Sequence, residues 1–205
     1  MKNKQLEILE TAAVLFSKGG IKKTSVEIIS RQCGISKKTF YTYYSDKEAV
    51  IKDIVENALS RTEKYASTLS ETSSDAACDL IRFFKFIQNN IAVFTPVFIS
   101  DLFKFYPAVN DCIREYRSKK FLPFFMENIK RGVQEGCYRK SVDGKLTGEL
   151  YFRQIDLTLE DDSLTALEKF TVLSYINSFF LHGIVNGFGV KQLYSDGNQK
   201  CSIKF

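Results

Sequence analysis

Five side chains crowd one short stretch: Lys37, Lys38, Thr39, Tyr41 and Tyr43. Two ammonium groups and three hydroxyls in this order suit no covalent chemistry. They suit a polyanion. Lysines neutralise phosphates, hydroxyls donate to phosphate oxygens, and a lysine at a helix start can reach a guanine edge. No rival chemistry is legible. His182 is the single histidine, and neither a Ser/His nor a Cys/His order is compelling. Cys33, Cys78, Cys112, Cys137 and Cys201 are scattered, with no CxxC, so free thiols in a reducing cytoplasm are expected. No Gly-rich phosphate loop exists. The sequence therefore predicts no enzyme, no catalytic residue, no metal site and no cofactor.

The elements that must position the cluster come next. Thr24-Ser25-Val26-Glu27 reads as a capping box opening a short helix whose apolar side is Val26, Ile28 and Ile29. Cys33-Gly34-Ile35-Ser36 breaks it: Gly34 takes positive φ cheaply and Ser36 caps the next helix, Lys37 to Tyr44. Phe40 and Tyr44, four apart, face inward. This is helix-turn-helix grammar, with the second helix offered to a major groove. Ahead of it, Ile8, Leu9, Ala12, Leu15 and Phe16 mark one face of a helix over Lys4–Lys18, stopped by Gly19-Gly20. Behind it, Ser45-Asp46-Lys47-Glu48 fits a second capping box, with Ser45 or Asp46 as cap, and a connector helix continues to about Tyr65. Charge agrees. From Lys18 to Lys52 eight basic residues face three acidic ones, which accounts for the whole net charge of +5.

Ser36-Lys37-Lys38-Thr39-Phe40-Tyr41-Thr42-Tyr43-Tyr44-Ser45-Asp46-Lys47-Glu48-Ala49-Val50 resembles the signature of TetR-like bacterial transcriptional regulators, S-K-x-T-L-Y-x-Y-F-x-x-K-E-x-L. Phe40, Tyr44 and Val50 replace Leu, Phe and Leu and stay apolar. The motif likeness covers roughly Lys4 to Ile54; beyond it the likeness is one of length and architecture. The resemblance implies that Lys37, Lys38 and Thr39 meet base edges. It implies that Tyr41, Tyr43 and Lys47 hold phosphates, with Thr24 and Ser25 at the preceding helix start. It also implies a homodimer on a palindromic operator. The last two helices would pair as a four-helix bundle, with Ile176, Phe180, Gly183 and Gly187 at the interface. A small-molecule effector would bind between the helices that follow the DNA module.

From Asp75 onward the sequence turns apolar and aromatic. Ser67 to Ser74 reads as a loop. Leu80 to Ile91 is apolar nearly all round, which predicts a buried helix. Thr95-Pro96 starts the next helix, ended by Tyr106-Pro107. A long helix over Pro107–Glu135 contains Pro123, where a kink or break is expected. Helices over Lys145–Leu159 and Ala166–Phe188 follow, the latter opened by a capping box, Thr165 to Glu168. Phe170 to Val190 lacks any charged residue, but a polar stripe runs through it, so no membrane span is expected. Phe83, Phe86, Phe98, Phe103, Phe121, Phe125 and Tyr151 are the candidate effector pocket, with plain core as the competing reading. Lys85, Lys104, Lys120 or Arg153 could meet an anionic group.

The expected fold is all-α. A three-helix module over residues 1–47 is joined by a connector to a helical effector-binding and dimerisation domain over 48–205. The expected function is a ligand-responsive repressor that binds double-stranded DNA. The alternative is a helical small-molecule or protein-binding module with no regulatory DNA binding.

Overall fold

The computed structural model describes residues 2–72, 75–90 and 94–194. Its regular elements are helices: α1 (Lys2–Gly19), α2 (Val26–Gln32), α3 (Lys37–Phe40), α4 (Lys47–Thr72), α5 (Ala76–Asn90), α6 (Pro96–Phe105), α7 (Pro107–Tyr116), a π-helical turn (Arg117–Phe121), α8 (Leu122–Gln134), α9 (Gly144–Glu160), α10 (Ala166–Ile184) and α11 (Gly187–Tyr194). Among the described residues the only extended pairing is an isolated antiparallel bridge, Tyr138 to Val185. No described helix is long and apolar enough to cross a membrane.

The chain divides into two compact units. One holds Met1–Ser60 and Asn90–Arg114; the other holds Arg61–Asn89 and Glu115–Phe205. The boundary expected at residue 47 falls inside the first unit, and α6 joins the N-terminal helices. In that unit Ile8, Phe16, Ile29, Phe40, Ile51 and Phe98 are fully buried in one core. Each such side chain contributes about 1.5–3 kcal/mol by leaving water. Phe16 and Phe98 are ring neighbours at 6.2 Å, so α6 completes the core that α1 begins.

The second unit is built on rings. Phe125 is fully buried, with Phe180 at 5.3 Å, Tyr151 at 5.4 Å, Phe152 at 5.5 Å and Phe83 at 5.6 Å. Most of these pairs are edge-to-face, the arrangement the ring quadrupoles favour. Polar ties hold α5 to α8. Buried Asp79 pairs with Arg131, which also meets Glu135 at 3.0 Å, and Asn128 donates to the Ala76 carbonyl at 2.9 Å.

Pro123 interrupts the long helix as expected, and the structure shows how. In a regular α-helix its ring would crowd the Lys119 carbonyl, and it supplies no N–H. The chain widens into a π turn, where the Leu122 N–H bonds the Arg117 carbonyl. Then α8 restarts with Pro123 in its first turn, where no N–H is missed.

Four expectations are corrected. The Ser/Thr-rich stretch is not a loop through residue 72. There α4 continues, and Ser67 and Thr68 turn their hydroxyls back onto the Lys64 and Tyr65 carbonyls at 2.8 and 2.7 Å; Ser73 and Ser74 lie outside the described residues. The recognition helix is shorter than Lys37–Tyr44: regular α-helix ends at Phe40, and turns carry the chain on to Tyr44. The last long helix ends at Ile184, because Val185 is extended (ψ 149°) and bridges to Tyr138. Gly187 opens α11, so Gly183 and Gly187 do not share a helix face. Finally, Cys33, Cys112 and Cys137 are free thiols but Cys78 is disulfide-bonded. Cys201 and Ile91 lie outside the described residues.

Candidate nucleic-acid interface

The turn between α2 and α3 is set by Gly34 at φ 63°, a conformation a Cβ resists. The Ile35 N–H then closes on the Ser30 carbonyl at 2.9 Å. Ser36 caps α3 by accepting from the Thr39 N–H at 3.0 Å. Phe40 anchors the short helix in the core, and the Tyr44 hydroxyl donates to Asp53 on α4 at 2.7 Å. Burial and the Asp53 carboxylate both push the Tyr44 hydroxyl well above its usual pKa, so it stays protonated as a donor.

On this frame the eight expected DNA contacts separate. Lys38 and Tyr41 are exposed, with no ion-pair or hydrogen-bond partner among the described residues. Lys37 is exposed but its ammonium sits 2.8 Å from the Glu27 carboxylate. Thr39 is half-buried and shares its hydroxyl with Ser36 at 2.9 Å. Tyr43 packs partly against the core. Ser25, not Thr24, is the cap of α2 and accepts from the Ile28 N–H. Thr24 is buried, and its hydroxyl donates to the Gly20 carbonyl at 2.8 Å, so the side chain is not presented to a phosphate. Lys47 points inward and donates to the Ile21 and Thr24 carbonyls at 2.9 and 3.1 Å. Burial holds its pKa below the usual lysine value, which nearby Asp101 partly offsets.

The sequence pattern missed Asp101. Its Oδ2 accepts from the Lys22 N–H at 2.8 Å, and Thr95, the cap of α6, donates to the Ser17 carbonyl at 2.8 Å. Gly20, at φ 82°, leaves room for this: a Cβ there would lie 2.7 Å from Asp101 Oδ2. The corner that leads into α2 is thus tied to α6 by two side chains some eighty residues away in sequence.

The comparisons with known proteins bear on this module first. Residues 8–54 match the family described as bacterial regulatory proteins, tetR family. A helix-turn-helix-type transcriptional regulator of Bacillus subtilis, YuxN, is 47% identical over 51 residues, which is 25% of this chain and 18% of that protein. This chain carries the tetR-family module. For the whole chain the likeness is one of fold. A protein from Saccharomonospora viridis, solved in complex with choline, superposes with TM-score 0.66 at 17% identity, covering 91% of this chain and all of that one. The fatty acid degradation regulator FadR of Bacillus halodurans gives 0.64 at 18% identity, covering 88% and 95%. The match with YuxN leaves most of that curated relative uncovered.

Beyond this module the expected effector residues divide. Phe98 and Phe103 belong to the core of the first unit. Phe83, Phe121, Phe125 and Tyr151 are buried together in the second, where their rings pack on one another, and Phe86 stacks on Tyr65 at 4.0 Å. The expected interface residues divide too. Phe180 is buried within the ring cluster and Ile176 is half-buried. Gly183 and Gly187 are exposed, with open space where a Cβ would stand. On α9 and α10 the large exposed apolar side chains are Leu146, Leu150 and Leu157, and Leu167, Tyr175 and Phe179. Beside them lies a groove of about 240 Å³ lined by Leu150, Tyr151, Phe179, Phe180 and Gly183, among others.

Two measurable outcomes follow. Lys47→Ala removes a charged donor from two carbonyls and lowers stability by about 1–3 kcal/mol, read by urea denaturation. Lys38→Ala leaves the midpoint within error. An equal midpoint for Lys47→Ala and wild type contradicts the inward role. Asp101→Ala leaves the Lys22 N–H to water and costs about 0.5–1.5 kcal/mol; Asp101→Asn, whose amide oxygen can still accept, recovers most of that. Hydrogen exchange at Lys22 distinguishes the two variants.

Proposed function

We propose that this chain is a cytoplasmic DNA-binding transcriptional regulator, a repressor that leaves a palindromic operator when a small apolar or aromatic effector binds. The carrying observation is a Ser36-capped recognition helix on a fully buried core, with Lys38 and Tyr41 turned outward. Lys38 reads a base edge, which is worth about 1–3 kcal/mol of discrimination if the base is guanine. Tyr41 and the Ser25 end of α2 serve phosphates.

One recognition helix makes few contacts, so the protein acts as a homodimer through α9 and α10. Support comes from the exposed apolar stripes on both helices. The effector enters the second unit near Phe83, Phe86, Phe121, Phe125 and Tyr151. Several of these rings pack directly on one another, so a ligand that inserts between them displaces some of them. Displacement supplies the coupling: only a ligand with different affinity for the two arrangements shifts the equilibrium. A full 1:99 to 99:1 reversal needs about 5.5 kcal/mol of preference.

Selection from a random duplex pool is the test. An enriched palindrome is expected, with half-sites roughly 34–36 Å apart or multiples of that and affinity that falls steeply with salt. Metabolites and hydrophobic drugs are then screened for thermal stabilisation and for release of the enriched duplex. No enrichment and no duplex binding at low salt would favour the helical binding module instead.

A further inference from the structure

The Glu27–Lys37 pair has no part in the reading above. Sequence spacing assigns Glu27 to a capping box with Thr24, but Ser25 caps α2 and Glu27 is left free. Its carboxylate reaches instead from the first turn of α2 to the first turn of α3 and meets Lys37 Nζ at 2.8 Å. Both side chains are exposed. The pair holds the carboxyl below its usual pKa and the ammonium above its own. The remaining polar groups of this surface are mostly committed as well: Thr39 to Ser36, Thr42 to the Thr39 carbonyl at 2.6 Å, and Lys47 to the loop carbonyls. Lys38 is the cation of α3 with no partner among the described residues.

We propose that Glu27 sets the discrimination of the recognition helix by holding Lys37 in reserve. This rests on the DNA-binding reading and deepens it. Sequence-independent binding comes from cations that displace counterions from phosphates. For Lys37 to join, it must leave one anion for another, and the abandoned carboxylate then faces the backbone of the duplex. Lys38 carries no such competitor. A long, flexible lysine freed from Glu27 would find a phosphate on any duplex. In the specific complex base contacts fix the register, so the same freed lysine gains less.

The test compares wild type, Glu27→Gln, Lys37→Gln and the double variant on two probes: a random-sequence duplex pool and the duplex enriched from it. Affinity is measured across a salt series. For Glu27→Gln the slope of log affinity against log salt should steepen by about 0.9, one phosphate contact. Affinity for the random pool should rise about five- to tenfold, and for the enriched duplex less, so discrimination falls. In the Lys37→Gln background Glu27→Gln should change neither slope nor discrimination. An unchanged slope, an equal gain on both probes, or the same gain without Lys37 each overturns the proposal and leaves DNA binding intact. A wild type that binds neither probe at low salt overturns the DNA-binding reading, and this proposal with it.

Discussion

Phe125→Ala should destabilise the protein by about 3–5 kcal/mol, the range for truncating a buried phenylalanine. Phe125 is fully buried in α8 and within 6.1 Å, centroid to centroid, of Phe83, Phe84, Phe124, Tyr151, Phe152 and Phe180. Two costs add. The ring's own burial is lost, and the cavity left behind cannot close fully, because the six surrounding rings hang on α5, α8, α9 and α10. Each edge-to-face pair also loses about 0.5–1.5 kcal/mol, though not additively. For a chain of this size about 2–4 °C of melting temperature goes with each kcal/mol, so the midpoint should fall by roughly 10 °C. Calorimetry and urea denaturation read it. A control is Phe124→Ala, a half-buried neighbour, which should cost markedly less. A loss under about 1 kcal/mol for Phe125→Ala would mean that this cluster already yields cheaply. The filled-core description would then fail. The same variant speaks to the effector: the cavity should accept a small aromatic such as benzene, and binding should restore part of the lost stability.

What was legible in the sequence was local. Helical periodicity, the Gly34 turn, the Ser36 cap, the Thr95-Pro96 start and the Thr165–Glu168 capping box are each written within a few residues, and each is found where expected. The interruption at Pro123 was legible for the same reason; its form, a π turn, was not. Boundaries failed where tertiary context outweighs composition. The serines and threonines of α4 look like a loop until their hydroxyls fold back onto the helix. Val185 looks helical until it bridges to Tyr138. Thr24 and Ser25 are equally good caps on paper, and choosing the wrong one hid Glu27. Long-range partners left no trace at all. Nothing near Lys22 announces Asp101, and nothing near Phe16 announces Phe98. The sequence therefore places α6 with the effector domain, whereas it packs in the N-terminal unit. The candidate site was legible as a list of side-chain types, and not as the subset left unpartnered.

Phe179→Asp should abolish dimerisation and, with it, most of the operator affinity. On α10 Tyr175, Phe179 and Gly183 recur every four residues, and on α9 Leu146 and Leu150 do the same, so each helix carries a stripe along one side. Phe179 is 76% exposed and Tyr175 66%, which are costly positions for rings unless a partner covers them. The adjoining groove of about 240 Å³ is lined by Phe179 itself, Leu150 and Gly183. In a two-fold interface one patch meets its own copy, so a ring from each protomer can fill the groove of the other. An aspartate there would have to be desolvated without a partner, which such interfaces do not tolerate. Separated protomers lose the tether between half-sites, and binding should drop by about 10²–10⁴-fold. Gly183→Leu is the cleaner companion. A Cβ at that position meets nothing within 4 Å in the protomer, so the new side chain starts into open space. Both variants should sediment as monomers at micromolar concentration, with circular dichroism unchanged. A wild type already monomeric under those conditions, or a Phe179→Asp protein that stays dimeric, would falsify α9 and α10 as the interface.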